Sequence, residues 1–276
     1  MEAGIEAAAD LGALRVCDAV LLACPAQAVR DLARQLPAGA PVVICAKGIE
    51  ASSCLLMSEV VHEALPHRAF AVLSGPSFAE EAVRGLPTAV SIATADANLG
   101  RDLAEALGAG AFRPYWTHDV TGVALGGAVK NVLAIAAGIV VGRGLGANAA
   151  AALITRGFAE MARLGLAMGA ELETLTGLSG LGDLVLTCYG PLSRNRALGE
   201  ALGKGTALAS HMAGRRQIVE GEATAPAVLA RATRHRIEMP ICAAVDAILH
   251  READLDDAIR ALLARPLRRE GNEAWR

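Results

Sequence analysis

Residues 126–138 read "GGAVKNVLAIAAG", and every position but two is glycine, alanine or a branched aliphatic. Such a stretch offers no polar face, so it is a helix packed on every side. The same pattern runs over 120–142, long enough to mimic a membrane span. Lys130 and Asn131 sit at its centre, however, where an ionised lysine costs about 2.5–3.5 kcal/mol on insertion scales. A buried helix at the heart of a larger helical domain accounts for the same letters, and a membrane partner is not expected.

Working outward, strand signals almost vanish after Thr117 and Asp119, both candidate helix caps. Helical patterns follow at 148–169, 193–202, 222–235 and 240–250, separated by "GRGLGAN", "GLSGLGD" and "GKGT". On the other side, "DAVLLACP" (18–25), "PVVICAKG" (41–48), "AFAVLSGP" (69–76) and "TAVSIAT" (88–94) are continuous apolar runs. Strands covered on both faces look like this. Helix-like stretches at 27–35 and 55–65 alternate with them, which argues a parallel, doubly wound sheet. The expected organisation is α/β over 1–118 and all-α over 119–276.

The formal charge of −3 leaves no basic footprint, so nucleic acid is not expected as a partner. Six cysteines without a CxxC pair read as buried, reduced thiols of a cytoplasmic protein, with no metal site. A secretory signal is not expected, since the first residues show no cationic segment followed by an apolar run.

Lysine use is more telling. Of 26 Lys plus Arg, only Lys47, Lys130 and Lys204 are lysine. Lys47 and Lys130 both lie in apolar, glycine-flanked segments, whereas Lys204 in "LGKGT" suits a surface loop. A buried amine can release its proton and a guanidinium cannot. Glycines 126 and 127 beside Lys130 would let a ligand approach closely. The alternative is a structural lysine that snorkels out of the helix.

Two strands end in "AKGIE" and "SGPSFAEE". Ligands of open parallel sheets bind at the carboxyl ends of the strands, so Lys47, Gly75 and Ser77 suit a small anion or a nicotinamide cofactor. The same letters also read as turns. Ser193 can cap a helix whose first turn holds Arg194, Asn195 and Arg196, a phosphate site in kind, although an exposed basic turn would look alike. Asp183, between "GLG" and "LVLT", is expected half buried and in want of a cation such as a lysine ammonium; a helix cap is the other reading.

"SGPSFAEE", "GGAVKNVLAIAAG", "ALITRGFAEM" (152–161), "GLSGLGDLVLTC" (177–188) and "SRNR" (193–196), in this order and spacing, resemble the bacterial NAD(P)-dependent sn-glycerol-3-phosphate dehydrogenases. The resemblance implies a Rossmann-type domain followed by a helical domain of the 6-phosphogluconate-dehydrogenase kind. It implies interconversion of sn-glycerol 3-phosphate and dihydroxyacetone phosphate for phospholipid synthesis, with NAD or NADP, and it leaves a homodimer open. Lys130 matches the proton-transferring lysine and Asp183 its acidic neighbour. Lys47, Gly75, Ser77, Thr187, Ser193, Arg194 and Asn195 match substrate contacts. Ala79, Ile218 and Glu220 match cofactor contacts, joined by Lys47 and Arg194.

The strand, GxGxxG loop and helix that open the family's sheet have no counterpart here. Their absence would leave "DAVLLACP" as a bare apolar edge. The expectation is a start codon set too late or a shortened gene. Two rivals stand beside the dehydrogenase: a ketopantoate or hydroxy-acid reductase of similar build, which "SRNR" argues against, and a non-catalytic remnant that binds a phosphorylated ligand. The tail "RPLRREGNEAWR" reads as a solvated terminus.

Overall fold

The computed structural model describes residues 5–213 and 218–266. Residues 267–276 of the tail lie outside them, as does Gln217.

Five strands form one sheet in sequence order: β1 (Val20–Leu22), β2 (Val42–Ile44), β3 (Phe70–Ser74), β4 (Thr88–Ala93) and β5 (Phe112–Thr117). Helices α1 (Val29–Gln35) and α2 (Met57–Ala64) link the first three strands, α3 (Ala79–Val83) lies between β3 and β4, and α4 (Ala97–Leu107) between β4 and β5. Residues on the two sides of β2 show how the sheet is covered. Val42 and Ile44 join the main core with Val29, Val60 and the helical domain, while Val43 packs with Ala71, Ile92 and Leu103 under α4.

Three expectations are corrected here. The sheet is not wholly parallel, because β3 and β4 run antiparallel while every other pair is parallel. The link over 75–87 holds only the five-residue α3. That is too short a helix to carry the chain back along the sheet, as a parallel crossover requires. Second, β1 lacks the double covering read from its apolar run and is instead the bare edge also expected of "DAVLLACP": Val20 and Leu22 are buried, but Leu21 is 47% exposed at the edge of the sheet. Third, Cys188 and Cys242 alone are buried among six free thiols. Strand β5, "FRPYWT", escapes a sequence reading because Arg113 and Pro114 interrupt its apolar run. At a sheet edge a proline needs no ladder partner, and β5 pairs with β4 alone.

The helical part comprises α5 (Val120–Gly142), α6 (Gly146–Ala167), α7 (Leu172–Thr176), α8 (Asp183–Tyr189), α9 (Arg194–Gly203), α10 (Leu208–Met212), α11 (Glu220–Arg234), α12 (Pro240–His250) and α13 (Leu255–Leu263). Asp119 caps α5 by accepting from the Gly122 amide at 2.7 Å. Helix α5 is long and apolar enough to cross a membrane, and the whole of that apolar window is buried inside the protein. Around it pack α6, α8, α9, α11, α12 and β3. Its glycines explain how so many neighbours fit. A Cβ on Gly138 or Gly142 would collide with the backbone of α9, and one on Gly199 would collide with the Ile135 carbonyl. Helices α5 and α9 therefore meet backbone to backbone, which brings the start of α9 against the middle of α5.

Candidate active site

Lys130 projects from that middle. Its Nζ donates to Asp183 Oδ1 at 2.6 Å and to Thr187 Oγ1 at 3.0 Å. The other carboxylate oxygen, Oδ2, accepts from Lys47 Nζ at 2.7 Å, and Lys47 also donates to the Gly75 carbonyl at 3.0 Å. One carboxylate thus bridges two ammonium groups drawn from the loop after β2 and from α5. The side chain of Asp183 is only 1% exposed, against 8% for Lys130 and 20% for Lys47. The expectation of a half-buried carboxylate is therefore corrected to full burial, and its expected cation arrives twice over.

Local chain geometry sets each partner. A wide helical turn, Leu178–Gly182, delivers Asp183 as the first residue of α8. Thr187 lies one turn further on the same face. Gly75 turns the chain after β3 at φ +144°, and a Cβ there would also lie 2.9 Å from Val90 Cα, so only glycine serves. Ser77 Oγ donates to the Gly75 carbonyl at 3.0 Å, the same oxygen that holds Lys47.

Burial and the shared charges shift the titration of Lys130 and Asp183. Burial, followed by the Lys47 charge, lowers the Lys130 ammonium from 10.5 to about 8, although Asp183 pulls the other way. Burial alone would raise Asp183, but the charges and hydrogen bonds of Lys47 and Lys130 overcome it and hold the carboxyl below its ordinary value. The cluster carries one surplus positive charge, which suits an oxyanion or a phosphate.

The glycines beside Lys130 do not open a path for a ligand, contrary to expectation. A Cβ on Gly126 would lie 2.6 Å from the Ser179 carbonyl oxygen, and one on Gly127 would lie 2.7 Å from Ser74 Oγ and 3.4 Å from Lys47 Cγ. The room they create is filled by the protein itself, which lets the Lys47 loop and the turn before Asp183 close in on α5.

The "SRNR" turn reaches the cluster through amides. Ser193 caps α9, accepting from the Arg196 amide at 3.2 Å. Asn195 Nδ2 donates to Asn131 Oδ1 at 2.9 Å, and Asn131 is the neighbour of Lys130. Asn195 is buried, so its side chain faces inward, whereas Arg194 is exposed. At the start of α11, Glu220 Oε1 accepts from the Ala26 amide at 3.1 Å while Oε2 is buried without a partner. Burial raises the Glu220 carboxyl, and the Ala26 amide and the Arg194 charge partly offset this. Ala79 and Ile218 are exposed and stand outside the hydrogen-bonded cluster. Lys204 is exposed at the end of α9, paired with Glu200 at 2.7 Å.

Three anchoring residues escaped the sequence reading. Asn131 Nδ2 donates to the Lys47 carbonyl at 3.2 Å. Glu50, in the same "AKGIE" motif as Lys47, receives the Arg30 guanidinium fork at 2.8 Å on both oxygens. Arg231 of α11 reaches the sheet domain, donating to the Cys54 carbonyl at 2.9 Å and to Glu59. Only the buried amide in "KNV" left a trace that sequence inspection could have used; the other two depend on contacts between distant segments.

The chain as a whole is similar to known proteins. Family models described as NAD-dependent glycerol-3-phosphate dehydrogenase N-terminus and C-terminus match residues 1–100 and 119–260. A glycerol-3-phosphate dehydrogenase [NAD(P)+] of Maricaulis maris is 55% identical over 96% of this chain and 81% of its own length. One from Caulobacter vibrioides is 54% identical over 98% and 83%. The crystal structure of glycerol-3-phosphate dehydrogenase from Coxiella burnetii superimposes with a TM-score of 0.88 at 42% identity, covering 92% of this chain and 79% of that one. With both family models matched and relatives above half identity along nearly its whole length, this chain belongs to the NAD-dependent glycerol-3-phosphate dehydrogenase family.

Proposed function

We propose that this chain interconverts sn-glycerol 3-phosphate and dihydroxyacetone phosphate with NAD or NADP, and that Lys130 is its proton-transferring residue. The observation that carries the reading is the Lys130–Asp183–Lys47 bridge. A ketone being reduced develops negative charge on oxygen, and a group that donates a proton there works best when poised near ambient pH. Lys130, brought to about 8, is so poised. Its ammonium protonates the developing alkoxide; in the reverse direction its amine accepts the hydroxyl proton. Asp183 holds the ammonium in place and Thr187 fixes its direction. Lys47, Gly75 and Ser77 border the reacting end. Ser193, Arg194 and Asn195 receive the phosphate at the α9 start, where first-turn amides lack intrahelical acceptors. Gripping the phosphate away from the reacting carbon turns binding energy into alignment.

The residues present suit a nicotinamide cofactor at the buried, unpartnered Glu220 Oε2, an acceptor in want of a donor such as a hydroxyl. Lys47, Ala79, Arg194, Ile218 and Glu220 would hold the group. When bound it supplies or takes up the hydride. The division at 118/119 into a cofactor-side and a substrate-side unit, and a cytoplasmic setting for six free thiols, belong to the same reading. Of the rivals, neither the ketopantoate reductase nor the non-catalytic remnant has the support of the relatives named above.

Replacing Lys130 by alanine tests the role. The variant should lose on the order of 10²–10⁴-fold in kcat with dihydroxyacetone phosphate while still binding NADH, the range for a removed general acid. Near-normal turnover would remove Lys130 from the mechanism.

A further inference from the structure

We propose that Asn131 is a positioning residue, the centre of a relay of two carboxamides that sets the Lys47 loop against the start of α11, which bears Glu220. The proposal rests on the site reading above and deepens it.

The relay runs through four segments. Gly221 N donates to Asn195 Oδ1 at 2.9 Å, and Asn195 Nδ2 donates to Asn131 Oδ1 at 2.9 Å. Asn131 Nδ2 then donates to the Lys47 carbonyl at 3.2 Å and the Gly127 carbonyl at 3.3 Å. Its direction is fixed at both ends by backbone groups. Gly221 can only donate, and the two carbonyls can only accept. One orientation of each amide satisfies the chain, and flipping either faces donor to donor and acceptor to acceptor. Both carboxamides are buried, so a misfit would leave unpaired polar groups.

A second, independent observation places α11 directly on the relay. A Cβ on Gly221 would lie 2.6 Å from the Asn131 carbonyl oxygen and 2.8 Å from Asn195 Oδ1. No other residue fits there without pushing the helix away. The neighbouring Glu220 then reaches the Ala26 amide after β1. Asn131 has every polar atom of its side chain committed, whereas Asn195 keeps one N–H free to offer a ligand.

The consequence falls on Lys130. Lys47 and Lys130 meet on the two oxygens of Asp183, and their backbones are tied through Asn131, the residue next to Lys130. Cutting that tie lets the Lys47 loop relax, so less of its charge is felt at Lys130. The groups that face Lys130 are Asp183, Thr187 and Cys188 from α8 and Lys47 from the sheet side. Of these, Lys47 alone is hydrogen-bonded to the Asn131 side chain.

The test uses Asn131→Ala and Asn195→Ala, which open the relay at different links, with thermal unfolding to report folding. Lys130 carries one of three signals in a chain labelled with 13Cε-lysine, and Lys130→Ala assigns it. In Asn131→Ala, which removes the tie itself, the Lys130 midpoint should rise by about half a unit or more, and in Asn195→Ala, which only frees Asn131 Oδ1, by less. KM for NADH should rise several-fold through the α11 start, and kcat/KM for dihydroxyacetone phosphate should fall about tenfold or more. A midpoint and KM unchanged in a folded variant, with loss of thermal stability alone, would overturn the proposal. If neither alanine variant folds, Asn131→Ser carries the same expectation. A wild-type chain inactive on dihydroxyacetone phosphate, whose Lys130 midpoint still moves in the variants, would leave the relay standing and defeat the assigned reaction.

Discussion

Two buried carboxylates, Asp183 on α8 and Glu160 on α6, differ in almost nothing but their partners. They are 1% and 2% exposed. Asp183 touches two ammonium groups and is held below its ordinary value. Glu160 accepts from the Ile241 and Cys242 amides, at 2.8 and 3.3 Å, at the start of α12. Burial raises it to about 7, against the pull of those amides and, more weakly, of the Arg163 charge. Helix-end amides satisfy hydrogen bonds but supply only a fraction of a unit charge. They clasp α12 to α6 without compensating the loss of water. Full cations do compensate, and two of them over-compensate, leaving a surplus that adds to burial in depressing Lys130. Equal burial, then, says nothing about whether a carboxylate holds the fold or serves chemistry; the formal charge of its neighbours does.

The comparison breaks most visibly at Asp183. In Asp183→Asn, two ammonium groups would face a neutral amide in a dry setting, and removing one member of a buried ion pair typically costs about 3–5 kcal/mol. Denaturant unfolding at neutral pH should show a loss of that order, together with a near-complete loss of turnover. A loss below about 1 kcal/mol would mean that the carboxylate is not the counter-charge of both lysines. The sign with pH follows: the pair's contribution is present above the unfolded-state value of the carboxyl and is lost as pH falls through its lowered folded value.

Glu160→Gln sharpens the other side, with a smaller effect. Because its folded value lies above its unfolded one, this group favours the fold when protonated, and that contribution is lost as pH rises from about 4.5 to about 7. The total is on the order of 3 kcal/mol, with about 3.5 kcal/mol as the ceiling. The glutamine keeps one acceptor for α12 and cannot ionise. Its unfolding free energy should therefore lack the decline that the parent chain shows across pH 5–7. Parallel profiles for the two chains would show that Glu160 is not desolvated in the way described.

How much of this was legible beforehand follows the same division. The identity of Lys130 and its need for Asp183 could be read because a lone charge in an apolar helix demands a partner, and the sequence holds few lysines. The span of α5 and the Ser193 cap were equally open to reading, since both rest on local pattern. Lys47 meeting the same carboxylate was not, for it depends on two segments 136 residues apart. The antiparallel β3–β4 pair was hidden because strand direction is set by the length of the link, not by the strands. The role of Gly126 and Gly127 was misjudged because small residues make room without saying for what.

The account turns on a lysine whose proton is loosened by burial and by a second lysine. In the 13Cε-lysine-labelled chain, the Lys130 signal should titrate near 8, about two and a half units below an unperturbed lysine. A midpoint near 10.5 would show an ordinary structural ammonium and would contradict the proposed proton transfer.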